Sequence, residues 1–380
     1  MARNTKPVKI KRHKNSMGSS TQSVAAVKRF VPFILAAVLV VALGFMLGKP
    51  LLNLISGGGE DDSSSQNTVV SQPASSMVEE NTGNAQTDSS DAAQPAIPPV
   101  TEAKNRVYYY ANVAALSTDD GIAGVINTMK AKGATHLVFD AKNPDGYVHY
   151  ASAHRYASKL PAEVQVDIPE LVAKLKAENI TPVARIYTFM DKMVSTVERS
   201  TAVMYRGTDT RWLDTSAALG GKSWANPASK LMQDYIIALT DEMLSMGVNE
   251  IIYAGFSTPT GYSLDKRDFG ATTQQVLANM QSLIGTLKAK ISAKGGYSTW
   301  QFEYSAVVED GSYEQYIVHP YQLGAENMII TASGGDIDVA AATAALTTAE
   351  NQDGIGEITL WLTDNVNTAE TETLGSYFVS

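Results

Sequence analysis

The sequence contains no cysteine, which excludes disulfides, thiolate metal sites and cysteine nucleophiles together. Histidine is scarce. His13, His136, His149, His154 and His319 show neither an i, i+4 pair nor an H-E-x-x-H spacing, so no metal site and no cofactor is expected. No P-loop or dinucleotide fingerprint occurs. Gly255-Phe256-Ser257-Thr258-Pro259 lacks the second glycine of a nucleophile elbow.

Charge of one sign is missing from two adjacent stretches. Residues 1–49 hold nine bases and no acid, and residues 50–103 hold eight acids and no base. Residues 104–380 carry 21 bases and 31 acids. An acidic body repels phosphate and releases few counterions, so no nucleic-acid partner is expected.

Phe30–Leu47 is an eighteen-residue run without a charge. With Gly48 and the apolar Pro50-Leu51-Leu52 it reaches the roughly 20 residues that a bilayer core requires. Eight bases precede the run and only Lys49 closely follows it, which places the N-terminus in the cytoplasm and the C-terminal part outside. A cleaved signal peptide is the alternative. The long basic region, the length of the run and the lack of an A-x-A site favour an uncleaved signal-anchor. The expected organisation is a basic cytoplasmic tail (1–29), a transmembrane helix (30–52), a disordered linker (53–103) and one domain (104–380) in an extracytoplasmic, single-pass arrangement at the cell membrane. The linker is rich in Gly, Ser, Asp and Pro and lacks an apolar period. As a flexible coil its reach is roughly 40 Å.

The domain alternates short apolar strands with amphipathic helices. Strands are expected at 107–113, 136–140, 181–187, 250–253, 300–308, 327–331 and 358–362, with an eighth between 316 and 322. Ser117/Thr118 and Gly133 bracket one helix, Pro169 opens a second, Asn226-Pro227 a third, and further helices span 272–294 and 338–350. This pattern predicts an α/β fold, a single (β/α)8 TIM-type barrel. A doubly wound sheet is the alternative, but no Gly-rich turn follows the first strand.

Functional groups of such a barrel gather at the C-terminal strand ends. There lie Asp140 and Lys142, with Asn143 and the Asp145-Gly146 turn. Arg185, Tyr187 and Asp191 follow the third strand. Trp212, Asp214 and Trp224 occupy a long loop, Glu303 the fifth strand, and Asp364 the exit of the last. Acids, amides and aromatic faces suit a sugar, with paired carboxylates as proton donor and nucleophile or base. Asp140 and Glu303 are the candidate catalytic acids. Lys142, Arg185, Tyr187, Asp191, Trp212, Asp214, Trp224 and Asp364 are candidates for substrate binding. Each has a blander reading as a turn, cap, packing or ion-pair residue.

Four blocks in order carry a resemblance: Val138-Phe-Asp-Ala-Lys-Asn-Pro-Asp-Gly-Tyr-Val-His-Tyr150, Val183-Ala-Arg-Ile-Tyr-Thr-Phe-Met-Asp191, Trp212-Leu-Asp214 with Trp224-Ala-Asn-Pro227, and Gly247-Val-Asn-Glu-Ile-Ile-Tyr253. Residues 106–370 resemble a bacterial glycoside hydrolase family with an α-amylase-like, family 13-like TIM barrel, often membrane-tethered in Gram-positive bacteria. The likeness is specific in the first half and faint after Phe269. It implies an Asp after the fourth strand as nucleophile, and here that position is Ala254. The resemblance therefore implies a membrane-anchored, extracytoplasmic glycoside hydrolase-like protein, acting on or binding cell-wall or extracellular polysaccharide with a degenerate acid set. The alternative is a non-catalytic glycan- or protein-binding scaffold at the cell envelope.

Overall fold

The computed structural model describes residues 105–308, 314–350, 354–364 and 369–379. The expected cytoplasmic tail, transmembrane helix and linker lie outside the described residues. Among the described residues no helix is long and apolar enough to cross a membrane.

Eight parallel strands form one sheet: β1 (Val107–Tyr110), β2 (His136–Lys142), β3 (Thr181–Tyr187), β4 (Glu250–Ala254), β5 (Tyr297–Glu303), β6 (Met328–Ala332), β7 (Ile358–Leu362) and β8 (Tyr377–Val379). The order is β8-β1-β2-β3-β4-β5-β6-β7. The sheet curls into a nearly closed barrel. No ladder joins β7 to β8; instead Trp361 of β7 stacks on Phe378 of β8 with ring centroids 4.3 Å apart and planes 3° from parallel.

Five longer helices lie between strands: α1 (Asp119–Lys132), α2 (Ile168–Ala177), α3 (Lys230–Ser245), α4 (Thr273–Ser292) and α5 (Val339–Glu350). Local chemistry sets their ends. Thr118 accepts from Gly121 N at the start of α1 and Gly133 closes it in the left-handed region, each satisfying backbone groups the helix leaves open. A capping box of Thr272 and Gln275 starts α4. The stripe Ile122, Val125, Ile126 and Met129 buries one face of α1, and the outward residues of the strands, such as Phe139, Ile186 and Tyr253, join the same core.

Four sequence expectations shift. The first strand stops at Tyr110, because Val113–Leu116 form a 3-10 turn opened by Asn112. The fifth strand starts at Tyr297 and stops at Glu303, because residues 304–308 turn into a short helix. The eighth strand is not at 316–322, where two 3-10 turns lie, but at 377–379, where Phe378 can fill the barrel beside Tyr108. The third helix begins at Lys230, since the Asn226 side chain caps a turn at Ala228 N and donates to Phe269 O instead of opening the helix.

Inward residues form three layers. Arg106, His136, Glu250, Tyr297 and Glu357 alternate with the next inward set and make a charged floor. Nη1 of Arg106 lies 2.9 Å from Glu357 Oε2, and Nε lies 3.5 Å from Glu250 Oε2. The guanidinium sits 3.7 Å from the centroid of Tyr297, whose hydroxyl donates to Glu357. Above the floor, Tyr108, Val138, Val183, Ile252, Ile329 and Phe378 make an apolar waist with Trp361 at its edge. The third layer, at the C-terminal strand ends, is polar and aromatic.

Candidate functional site

Asp140 ends the apolar part of β2, and its register partner is Arg185 of β3. Parallel partners project to the same face, so the pair meets inside the barrel. Nε of Arg185 lies 2.6 Å from Asp140 Oδ1 and Nη2 lies 3.1 Å from Oδ2. Tyr110 of β1 donates to Oδ2 at 2.9 Å. Burial and the neighbouring Asp140 push the Tyr110 phenol up to about 12, so it stays a donor. Burial opposes the charge of Arg185, but the hydrogen bonds and charge of Asp140, with Tyr187 and Tyr110, together outweigh it and raise the pKa. The guanidinium is ringed by Tyr110 at 4.8 Å, Trp361 at 4.9 Å and Tyr187 at 5.2 Å from their centroids, and Nη1 reaches Gln301 Oε1 at 3.4 Å.

Over this layer opens a mouth cavity of about 530 Å³, lined by Tyr110, Arg185, Tyr187, Gln301, Thr331 and Trp361 among others. Its walls are aromatic faces, and its polar groups are a guanidinium, an amide and hydroxyls. Such a set can stack on the C–H face of a sugar and hydrogen-bond its hydroxyls.

A bulge between Asp140 and Lys142 puts Lys142 opposite Ile186, whose side chain belongs to the outer core. Lys142 therefore leaves the barrel interior. It is 0 % exposed, with Nζ 2.9 Å from Asp191 Oδ2 and 2.5 Å from the carbonyl of Tyr187. Burial pulls its pKa below the ordinary lysine value against the pull of Asp191. The other oxygen of Asp191 accepts from Met193 N and Val194 N, both at 2.8 Å.

The excursion after β3 has its own small core of Val203, Trp212 and Trp224. Trp212 is buried and donates to Ser263 O at 3.1 Å. Asp214 accepts from Lys222 N at 2.7 Å and from the Trp224 indole at 3.4 Å. Asp191, Asp214 and Trp224 line a second cavity of about 410 Å³.

The ten predicted site residues thus divide. Arg185 and Tyr187 reach the mouth, with Asp140 directly behind them, while Asp191, Asp214 and Trp224 reach the second cavity. Lys142 and Trp212 are buried and line neither. Glu303 is exposed at the end of β5 with one long hydrogen bond, 3.4 Å, from Gln315. Asp364 is exposed and holds the 333–335 loop by accepting from Ser333 Oγ, Gly334 N and Gly335 N at 3.0–3.1 Å. Those backbone hydrogen bonds hold its pKa below the usual carboxylate value. Ala254, the register partner of Tyr187, is 0 % exposed at the end of β4. Sequence reasoning missed Tyr110, Gln301, Thr331 and Trp361. The signal was there: each stands two residues along its strand from another inward residue.

The family described as "DUF4015, Putative glycosyl hydrolase domain" matches residues 107–300. No curated protein matches the chain. Among solved structures, the PgaB (BpsB) glycoside hydrolase domain from Bordetella bronchiseptica is similar at 13 % identity and a TM-score of 0.54, over 73 % of this chain and 94 % of that one. A hypothetical protein from Ruminiclostridium thermocellum shares 18 % identity at a TM-score of 0.42, over 50 % and 96 % of the two chains. Amy13B of Eubacterium rectale shares 12 % at 0.45, over 73 % and 65 %. At such identities the likeness is one of fold.

Proposed function

The chain belongs to the family described as "Putative glycosyl hydrolase domain", and from that premise we propose that it binds a glycan at the barrel mouth without hydrolysing it by a two-carboxylate mechanism. The glycan is a polysaccharide of the cell envelope, and the domain is displayed outside a membrane by the N-terminal apolar run, with no nucleic-acid partner.

One observation carries this reading. Asp140, the carboxylate that the β2 end offers to the mouth, already accepts from Arg185 twice and from Tyr110 once. Three of its roughly four lone-pair sites are engaged, so the carboxylate is held as the partner of Arg185 and Tyr110 and is poorly placed to act as nucleophile or base. Glycosidases place two carboxyl groups about 5–10 Å apart across the bond they cleave. Among the described residues, Asp191, Asp214 and Asp364 are likewise committed to protein donors, and the end of β4 offers the methyl group of Ala254. Of the candidate acids among the described residues, Glu303 and Asp364 are exposed, and Glu303 is the one not tied to backbone donors. The aromatic ring around Arg185 remains well suited to holding a sugar.

The test uses the full-length chain in detergent with oligosaccharides from bacterial envelope polysaccharides. Binding should be detectable by calorimetry, should weaken in Trp361→Ala, and should release no reducing ends. Steady hydrolysis that Glu303→Gln or Asp140→Asn abolishes would refute the non-hydrolytic reading. Absence of both binding and turnover would favour a protein-binding scaffold.

A further inference from the structure

The second cavity is bounded by loops that follow β2, β3 and β4, outside the mouth site. Its volume of about 410 Å³ falls within the usual ~300–1,000 Å³ of small-molecule sites. Close backbone approaches fix its walls. Gly146 has φ +97° and Gly261 φ +113°; a Cβ at the first would collide with the Asp191 carboxylate and at the second with the Asp214 carbonyl. The cavity is therefore formed before any ligand arrives.

Its donors and acceptors are unbalanced. Lys192 and Lys222 both line it, and their ammonium groups converge on one oxygen, Asp145 Oδ1, at 2.9 and 3.0 Å. Burial opposes ionisation of Asp145, but the two lysine hydrogen bonds outweigh it and hold the pKa below the ordinary carboxylate value. An ammonium has three donors, and this shared contact leaves several for a ligand. The acceptors are not similarly available. Asp191 is taken by Lys142 and two backbone N–H groups, and Asp214 by Lys222 N and the Trp224 indole. Although formal charges cancel, the spare donors are those of the two lysines. The same lining holds the apolar surfaces of Pro144, Met190 and Trp224.

We propose that this cavity is a second glycan subsite, for a sugar residue bearing an anionic substituent, a carboxylate or a phosphate, that Lys192 and Lys222 bind. The apolar wall takes the sugar's C–H surface, and the spare ammonium donors take the anion by charge-assisted hydrogen bonds. The acidic body disfavours densely charged polymers at long range, so the ligand is a short or sparsely charged oligosaccharide. This site stands independently of the mouth, since it shares no lining residue with it.

The full-length chain carrying Trp361→Ala, which weakens the mouth and removes its indole, is titrated in detergent by calorimetry and tryptophan fluorescence with trigalacturonate, the neutral galactose trisaccharide, and glycerol phosphate. Trigalacturonate or glycerol phosphate should bind, and which of them does identifies the source of the anion. Affinity should fall roughly tenfold or more in Lys192→Gln/Lys222→Gln, the loss of two charge-assisted contacts, and should persist in Lys192→Arg/Lys222→Arg. The fluorescence change should vanish in Trp224→Phe. Equal affinity for the neutral trisaccharide, indifference to the Gln pair, a fluorescence change surviving in Trp224→Phe, or no binding of either anion at millimolar concentration would each overturn the proposal.

Discussion

Two arginines occupy the interior of this barrel, one at each end, and they are used differently. At the floor, Arg106 serves two carboxylates, Glu250 and Glu357, and some of the polar atoms there lack hydrogen-bond partners: Arg106 Nε, Glu250 Oε2 and Glu357 Oε1. At the mouth, Arg185 serves one carboxylate through two hydrogen bonds, with Tyr110 as a third donor to it. At the floor one guanidinium is shared by two carboxylates, with His136 Nε2 3.6 Å from Glu250 Oε1, so its arginine is a structural necessity. The mouth has a matched pair, and its arginine is ringed by three aromatic side chains where Arg106 stacks on one, so on the proposed function it is the recognition element. In TIM-type barrels the N-terminal face serves stability and the C-terminal face function, and this contrast gives that division a residue-level cause.

The sharpest way to break the comparison is Arg106→Met. It leaves the buried Glu357 and the part-buried Glu250 without their guanidinium, and removing one partner of a buried pair costs about 3–5 kcal/mol. Chemical denaturation should show that loss with little change in glycan affinity for whatever protein remains folded. At the mouth, Asp140→Asn leaves Arg185 less well paired but keeps an isosteric oxygen that can still accept from the guanidinium, and the stability cost should be about 1–3 kcal/mol. Here glycan binding should fall as well, because the guanidinium loses the charged partner that orients it. Equal stability losses in the two variants would remove the distinction between the ends.

A smaller effect comes from pH. The Tyr110 phenol is held near 12 in the fold against about 10 when unfolded. A raised pKa means that its hydrogen bond to Asp140 contributes fully below pH ~10 and is lost as pH rises through about 12. Burial also raises other tyrosines, Tyr316 and Tyr321 among them, so absorbance titration at alkaline pH should show several late-ionising tyrosines, with one fewer in Tyr110→Phe. The smallest stability effect belongs to Gln301→Ala. It removes a long 3.4 Å contact, so stability should stay within about 0.5 kcal/mol, as for most substitutions away from critical contacts. Binding at the mouth should still weaken.

Most of the strands were legible because apolar runs and helix caps are local signals. β8 was not, since three residues, Tyr377–Val379, carry no period; only the space beside Tyr108 and Trp361 explains them. The mouth was half legible. Asp140, Arg185 and Tyr187 stood out as polar groups on apolar strands, whereas Tyr110 and Trp361 looked like ordinary strand formers. What separates them from packing residues is inward parity, which the sequence holds as Arg106-x-Tyr108-x-Tyr110 and Glu357-x-Thr359-x-Trp361. The convergence of Lys192 and Lys222 on Asp145 was illegible, because residues 145, 192 and 222 are brought together only by the folded excursion after β3.

The central claim is that the mouth holds a sugar with its acid already engaged, and one measurement tests it most directly. Full-length chain is mixed with the best-binding envelope oligosaccharide, and bound ligand and new reducing ends are followed in the same sample over hours. Saturable binding that depends on Trp361, with reducing ends no higher than in a protein-free control, is the predicted result. Turnover that scales with enzyme concentration and disappears in Asp140→Asn while binding survives would contradict it.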